Sequence, residues 1–250
     1  MKYLFVSLSF LCFSILDAQN LIPNPGFEQC DACDANGFKE LGIGLGANNP
    51  IDWNAATFGT PDFRSTYPHS GKKHGGFFTG FQKHEYLVNH FSTTLMAGAT
   101  YQFSFWIQGS TQNLNYAIDE IGVYLLKGEA IYPQAEPLKQ LTPTFKSKEG
   151  EFIDAKNYIR LSFEYKACGG EDHFIVGRFA PLGQGDTSFV GKKRPVNPGS
   201  EAIYYFVDDF EMIETNPAPS YDLLPSEITL CPDSSKTLSI PDPLRTMKII

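Results

Sequence analysis

Between residues 20 and 213 the sequence lacks the helical repeat of apolar residues. No stretch there places apolar side chains at positions i, i+3, i+4 and i+7, the spacing of one helix face. Short runs of aromatic and β-branched residues recur instead, separated by Gly, Pro, Asn and Asp, and 22 glycines and 17 prolines are consistent with many turns. This pattern argues against a helical bundle and predicts an all-β sandwich or barrel.

Positive charge is also scarce. The chain has 20 Lys and Arg residues against 28 Asp and Glu residues, a formal net charge of -8 at pH 7. Nucleic acids and anionic membranes select basic surfaces. The composition therefore argues against both as partners and suits a soluble exported protein.

The one long apolar run lies at the N-terminus. Lys2 precedes an almost wholly apolar stretch from Leu4 to Leu16, and Asp17-Ala18-Gln19 follows it. A basic start, an apolar run of about 7–15 residues and a small residue near the cleavage point are typical of a secretory signal peptide. A membrane span needs about 20 residues. We therefore expect residues 1–19 to be a signal peptide, and the protein to be secreted, extracellular or on the outer cell surface without a transmembrane segment.

Signatures of enzymes are missing as well. The chain contains no Gly-x-Ser-x-Gly motif, which marks the nucleophile of many hydrolases. His84-Glu85 is followed by His90, two residues too late for the zinc-binding His-Glu-x-x-His motif. Asp119 and Glu120 alternate across a predicted strand, so they cannot face one substrate as a glycosidase pair does. The sequence thus predicts a protein that is not an enzyme.

Cysteines are few, and Cys30, Cys33, Cys168 and Cys231 remain after the signal peptide. Cys30 and Cys33 form a Cys-x-x-Cys pair, but a zinc site would need a second pair at suitable spacing, and a redox motif would need a βαβ pattern. An oxidising compartment permits disulfides. We expect a structural disulfide here, formed either locally or with Cys168.

Two segments alternate with the period of a half-buried strand. From Tyr101 to Gln108 one face is apolar, with Tyr101, Phe103, Phe105 and Ile107, and the other carries Gln102, Ser104, Trp106 and Gln108. From Tyr158 to Tyr165 the apolar face is Ile159, Leu161, Phe163 and Tyr165. Further strands are predicted around Gly76–Phe81, Tyr86–Ser92, Ile118–Leu126, Phe174–Phe179 and Ala202–Ile213.

Four segments resemble a known family. They are the opening NLIPNPGFE from Asn20, Trp53 after a variable loop, His69-Ser70-Gly71-Lys72, and the closing strand from Tyr204 to Met212. Together they resemble carbohydrate-binding-module jelly rolls of the galactose-binding-like kind. The resemblance implies a two-sheet antiparallel jelly-roll sandwich over residues 20–214.

A narrower resemblance rests on five motifs in order. These are NPGFE, TPDF, YAIDEIGVYL, GGEDHFIVGRF and YYFVDDF, which begin at residues 24, 60, 116, 169 and 204. They resemble the N-terminal domain of secreted, gliding-motility-associated surface proteins. The stretch 215–221 carries two prolines and no apolar period, and residues 215–226 are therefore predicted to be a linker. The segment LCPDSSKTLSI resembles the opening of an Ig-like or PKD-like repeat, so we expect residues 227–250 to begin such a domain, truncated before it can bury a core.

A calcium site is the first candidate for chemistry. Alternation in the last strand places Asp208 on one face with Phe210 and Met212, which read as core residues, so a compensating partner is needed. Glu28 ends the first strand, and the first and last strands commonly lie together in a jelly roll. Carboxylates from both, with backbone carbonyls of residues 71–74, would suit Ca²⁺. The resemblance also implies a structural calcium held by Glu28 and Asp208, with Asp209 the alternative. Otherwise Asp208 and Asp209 are solvated or cap a turn.

Trp106 is the first candidate for recognition. It shares a polar strand face with Gln102 and Gln108, so its ring can stack on a sugar while the amides bond to hydroxyls. Alternatively, a loop or a second domain covers it. The first arrangement predicts a non-catalytic binding module whose partner is a glycan or another cell-surface polymer. The second predicts a structural adhesin or gliding-motility-associated component that binds surface proteins or acts as a spacer.

Overall fold

The computed structural model describes residues 19–30, 39–43, 50–80, 83–114, 116–134, 137–154, 156–181, 187–189 and 203–218. Within these ranges all regular secondary structure is β. No helix in the described part has the length and hydropathy of a membrane span. Residues 1–18 of the predicted signal peptide, Cys33 and the predicted Ig-like segment lie outside the described residues. The strands are β1 Lys39–Glu40, β2 Asn54–Ala55, β3 Asp62–Arg64, β4 His74–Phe78, β5 Leu87–His90, β6 Thr100–Leu114, β7 Tyr116–Ile118, β8 Gly122–Leu126, β9 Phe145–Lys146, β10 Ile159–Lys166, β11 His173–Gly177, β12 Thr187–Phe189 and β13 Ile203–Asn216.

Two antiparallel sheets form the body of the protein. The first has six strands in the order β1-β3-β4-β13-β6-β10, and the second has five in the order β2-β5-β11-β8-β9. The chain crosses between the sheets repeatedly, since β4, β6, β10 and β13 belong to the first while β5, β8 and β11 belong to the second. This connectivity is that of a jelly roll. The predicted all-β, two-sheet antiparallel sandwich is confirmed.

An aromatic core fills the space between the sheets. Trp53 is fully buried, stacks on Phe27 with ring centres 4.1 Å apart and lies 4.9 Å from Phe210. Its indole nitrogen donates a hydrogen bond to Asn24 O at 2.8 Å. Burying an aromatic side chain contributes about 1.5–3 kcal/mol, and a paired indole N–H avoids the penalty for a buried donor. The predicted core face of β6 is confirmed, because Tyr101, Phe103, Phe105 and Ile107 are all buried here.

The outer faces of the two sheets differ. The second sheet is covered by a smaller apolar cluster, in which Val88, Leu126 and Ile175 from the strands pack with Ala130 and Leu138 from the segment between β8 and β9. In the first sheet, the strand face opposite the core carries the polar side chains of β6. The outer face of the first sheet is therefore the surface where the predicted recognition residues lie.

A β-bulge in β13 corrects the predicted alternation. Asp208 pairs with Trp106, but the next registered pair is Glu211 with Ser104, because Asp209 adopts a left-handed φ of +47°. An inserted residue reverses which face later side chains occupy. Val207 and Phe210 therefore both reach the core, while Asp208 shares the outer face with Trp106. The prediction that Asp208 lies on the same face as Phe210 and Met212 was wrong.

Other strand limits shift by small amounts. The predicted strand Ile118–Leu126 is two strands. β7 pairs with β12 in a separate two-stranded sheet, and β8 belongs to the five-stranded sheet. β13 continues to Asn216, two residues into the stretch predicted as a linker. β10 lies at the edge of the first sheet, so Ile159, although on its apolar face, is 43% exposed.

Candidate functional site

Strand register brings Trp106 between two charged side chains. Its Cα partner in β13 is Asp208, and its partner in β10 is Arg160. Residues directly opposite in antiparallel strands share a face and lie close together. Trp106 is partly buried and faces away from the aromatic core.

A histidine covers one face of the Trp106 ring. The His69 imidazole stacks on the indole with ring centres 4.0 Å apart and an interplanar angle of 15°. The Tyr158 ring meets His69 edge-on at 5.3 Å. A sugar cannot stack on the indole face that His69 already occupies. Trp106 is thus one layer of a His69–Trp106–Tyr158 cluster rather than a bare platform.

The turn that carries His69 is held by the carboxylate of Asp208. Asp208 is fully buried. Its Oδ2 accepts hydrogen bonds from the backbone N–H of His69 at 2.9 Å and of Ser70 at 3.2 Å, and its Oδ1 accepts one from Asp209 N at 2.9 Å. Hydrogen bonds of this kind to a carboxylate are charge-assisted and strong. Asp208 therefore fixes the backbone from which His69 reaches Trp106.

Two further carboxylates hold the same turn. Asp209 binds His69 Nδ1 at 2.6 Å and accepts a hydrogen bond from Ser70 Oγ at 2.8 Å. Glu28 Oε1 accepts hydrogen bonds from the backbone N–H of Lys72 at 2.6 Å and of Lys73 at 2.8 Å. We call residues 69–73 the carboxylate-held turn. It joins the N-terminal segment to the last strand.

Gly71 allows the carboxylate-held turn to close. Its φ is +61°, and a Cβ placed on it would lie 2.2 Å from Glu28 Oε1. Only a glycine fits both the left-handed backbone and this close approach. The His-Ser-Gly-Lys motif therefore supplies the geometry that Glu28 requires.

Burial dominates the electrostatics of Asp208. Loss of solvent, followed by the negative charge of Asp209, raises the pKa of Asp208 to about 7, although the amide hydrogen bonds act in the opposite direction. Burial also raises the pKa of the Tyr158 hydroxyl, and the charges of Asp208 and Asp209 add to that effect. The site is thus a negatively charged cluster beside an aromatic one.

The predicted metal ligands Glu28, Asp208 and Asp209 lie around one turn. Gly26 marks their meeting point, since a Cβ there would lie 3.3 Å from Asp209 Oδ1, 3.5 Å from Asp208 Oδ1 and 3.9 Å from Glu28 Cγ. Their oxygens face N–H and O–H donors, which compete with a cation for the same lone pairs. The described residues hold no group of three or more His, Cys, Asp or Glu side chains in metal-binding geometry. The arrangement as it stands suits capping of the turn, and a calcium ion would need Glu28 Oε2 and backbone oxygens in addition.

Polar side chains continue along the same sheet face. Gln102 donates a hydrogen bond to Ser162 Oγ at 2.7 Å. Arg160 forms an ion pair with Glu211 and donates to Ser104 Oγ at 2.8 Å. The predicted ligand residues Gln102 and Gln108 lie on this face with Trp106, but the Gln102 amide is hydrogen-bonded to Ser162 of β10. Gln108 stands opposite Phe206 of β13.

Tyr67 is the residue that the sequence did not single out. Its side chain is 69% exposed, and its φ is +63°. Its carbonyl oxygen accepts a hydrogen bond from the Tyr158 hydroxyl at 3.0 Å. It precedes Pro68 and the His-Ser-Gly-Lys motif, and a turn signal there is all that the sequence offers.

Two of the three cysteines predicted to form a disulfide, Cys30 and Cys168, are among the described residues. Cys30 and Cys168 are each disulfide-bonded. Cys33 lies outside the described residues, so the pairing stays a prediction.

A separate pocket lies on the second sheet. Its volume is about 170 Å³, and polar side chains that include Asp52, Asn54, His90, Glu129 and His173 line it. His90 and His173 are Cα partners in adjacent strands, with ring centres 6.2 Å apart. None of the predicted recognition residues, and no Trp, Tyr or Phe, is among the described residues that line this pocket.

No protein-family model matches the chain, and no curated protein matches it. Among solved structures, the CBM22-1 xylan-binding domain from Paenibacillus barcinonensis Xyn10C has a TM-score of 0.42 and 10% identity, over 73% of this chain and 95% of that one. TmCBM61, solved in complex with β-1,4-galactotriose, has a TM-score of 0.40 and 11% identity, over 79% and 99%. A CBM 22 xylan-binding domain has a TM-score of 0.39 and 10% identity, over 74% and 99%. At these scores and identities the similarities assign neither a family nor a ligand to this chain.

Proposed function

We propose that this chain is a non-catalytic glycan-binding module of a secreted or cell-surface protein. The observation that carries the proposal is the His69–Trp106–Tyr158 cluster on the outer face of the first sheet. Aromatic rings present flat apolar surfaces to sugar rings, and nearby polar side chains can bond to sugar hydroxyls. Gln102, Gln108 and Arg160 flank the cluster on the same sheet.

The buried carboxylates support a non-catalytic role. The carboxylate of Asp208 accepts hydrogen bonds from the backbone of the carboxylate-held turn. Glu171, also buried, accepts hydrogen bonds from Cys168 N, Gly169 N and the Tyr165 hydroxyl. A catalytic acid or base must reach the substrate proton that it transfers. Carboxylates bound to their own backbone are positioned to hold turns.

Binding to immobilised polysaccharides tests the proposal. The chain without residues 1–19 would be applied to a glycan array and to insoluble polysaccharide, and bound protein measured against salt and free oligosaccharide. We expect saturable binding that weakens when His69 and Trp106 are both replaced by alanine. Absence of binding to every glycan would refute the proposal.

One observation favours a second function, a structural adhesin or gliding-motility-associated component that binds surface proteins or acts as a spacer. His69 covers one face of Trp106, as expected for a loop-covered tryptophan. In that case the aromatic cluster would only fasten the turn to the sheet. Replacing His69 would then lower stability without affecting any glycan interaction.

We also propose that Ca²⁺ binds at Glu28 and Asp208, with Asp209 contributing if the turn adjusts. Carboxylate and carbonyl oxygens are the ligands that Ca²⁺ prefers. The support is the negative charge gathered at one point: three carboxylates surround the carboxylate-held turn. A bound ion would join the first and last parts of the domain.

A further inference from the structure

Tyr67 combines two features that rarely occur together. It is a bulky residue with φ of +63°, and most of its side chain lies in solvent. A left-handed backbone is unfavourable for a large side chain, and the following Pro68 restricts the residue further. Such strain persists where the surroundings impose it, and it collects at ligand-binding sites. A turn that needed only the backbone shape would be better served by Gly or Asn.

Contacts on both sides impose this backbone. On one side the Tyr158 hydroxyl donates a hydrogen bond to Tyr67 O at 3.0 Å. On the other side the N–H groups of His69 and Ser70 are held by Asp208. Tyr158 also packs edge-on against His69. His74 Nε2 also lies 2.6 Å from Thr66 O, the carbonyl that precedes Tyr67. The chain on either side of Tyr67 is thus fixed, while its ring projects outward.

The same contacts change the role of Trp106. Because His69 stacks on the indole, Trp106 supports the turn that presents Tyr67. We propose that Tyr67 is the residue on which a sugar ring of the ligand stacks, and that the ligand is a neutral polysaccharide. This inference rests on the proposed glycan-binding function and names its contact residue and ligand class.

Tyrosine suits this role on physical grounds. Its ring offers a flat apolar surface, and its few side-chain torsions are cheap to immobilise on binding. A platform held by a fixed backbone loses little further freedom when the ligand arrives. Tyr67 meets both conditions, whereas Trp106 has already lost one ring face to His69.

The charge around the cluster selects the ligand class. Asp208, Asp209 and Glu211 place carboxylates on this side of the sheet, and Arg160 is paired with Glu211. Asp209 engages the His69 ring. Around the cluster and its turn the four carboxylates of Glu28, Asp208, Asp209 and Glu211 outnumber the three cationic side chains of Arg160, Lys72 and Lys73. A polymer of uronic acids would be repelled here, while a neutral sugar polymer would not.

Two substitutions at Tyr67 separate binding from structure. Tyr67→Asn accepts the left-handed backbone but removes the ring, so we expect the midpoint of thermal unfolding to stay or rise and binding to fall about tenfold or more. Tyr67→Phe keeps the ring, so binding should stay within about threefold of wild type. Phe58→Ala is the matched control: Phe58 is 61% exposed, but its backbone bonds to Gln134 in the segment between β8 and β9. Its removal should leave binding unchanged.

The probes are an array of neutral plant, algal and microbial polysaccharides together with polygalacturonate and alginate. If wild type binds none of them, the proposed function itself fails. If wild type binds and Tyr67→Asn binds equally well, the assignment of Tyr67 is wrong while the proposed function stands. A clear drop in the unfolding midpoint of Tyr67→Asn would show a structural residue instead. Preference for polygalacturonate or alginate would overturn the neutral class.

Discussion

Replacing Asp208 by asparagine should remove a pH dependence of stability that the native protein carries. In the folded chain burial and the Asp209 charge raise the pKa of Asp208 from 3.8 to about 7. Between about pH 4 and pH 7 the native carboxyl therefore holds a proton that the unfolded chain has released. The resulting stabilisation is fully present below about pH 4 and is lost as the pH rises through 7.

The structure sets the size of this effect. The pKa difference is about three pH units, and each unit corresponds to about 1.4 kcal/mol. Asp208 thus contributes up to about 4 kcal/mol of stability at acidic pH that is absent at pH 8, a large share of the total for a domain. Asparagine cannot titrate, although its amide group would meet N–H donors where the carboxylate now accepts them. The variant should be less stable overall, with a smaller change across this pH range.

Guanidinium unfolding of wild type and Asp208→Asn from pH 4.5 to 8.5, in buffer with chelator, measures this difference. The stability gap between the two proteins should shrink by several kcal/mol as the pH rises. Asp209→Asn is the companion variant, because asparagine tolerates the left-handed φ at that position. Without the Asp209 charge the pKa of Asp208 should be lower, so Asp209→Asn should lose the Asp208-dependent stabilisation at a lower pH than wild type does. A gap that stays constant from pH 4.5 to 8.5 would refute the account of Asp208.

Three further outcomes are expected. Ca²⁺ bound at Glu28 and Asp208 should raise the free energy of unfolding by about 2.7 kcal/mol at a hundredfold excess over Kd, and the melting temperature with it. Chelator should reverse the increase and Asp208→Ala should abolish it. Identical melting curves with and without chelator would count against calcium. Trp106→Ala removes the ring under His69, so chemical denaturation should show a loss of about 1–3 kcal/mol, and a loss below about 0.5 kcal/mol would mean that the stacking is unimportant. Gly71→Ala should destabilise more than Gly128→Ala in the same assay, since both have left-handed φ but only at Gly71 would an added Cβ collide with Glu28 Oε1. Equal losses would contradict this steric argument.

The core was predictable because its signal is local. Alternation from Tyr101 to Gln108 assigned the buried face of β6 correctly, and burying the alternative face would have left polar groups unpaired. This prediction needs only neighbours in sequence.

The β13 prediction failed because a bulge is a local backbone event with no clear composition signal. Asp208 and Asp209 read as consecutive residues of a regular strand, but the left-handed φ of Asp209 inserts an extra residue. Asp is among the residues that tolerate this conformation, so the sequence permits the bulge without announcing it. The consequence was an error about which residues share a face with Asp208.

The site could not be predicted because it depends on long-range register. Trp106 meets Asp208 and Arg160 only because β6 lies between β13 and β10. His69 reaches Trp106 from a turn about forty residues away in sequence. That turn is bonded to Asp208, which lies much further along the chain, in the last strand. Strain at Tyr67 is also a property of the folded backbone. Periodicity within one segment cannot predict these contacts between distant residues.

The acidic residues in the resembling motifs have a role that does not depend on a metal. Glu28 comes from the opening segment, and Asp208 and Asp209 from the closing strand, and all three bind the carboxylate-held turn. The turn in turn sets His69 on Trp106 and fixes the chain that follows Tyr67. Stability of the domain and presentation of the proposed recognition surface are therefore coupled through the same hydrogen bonds. A proton or a cation at Asp208 acts on both at once, because neither can reach that carboxylate without changing how it holds the turn.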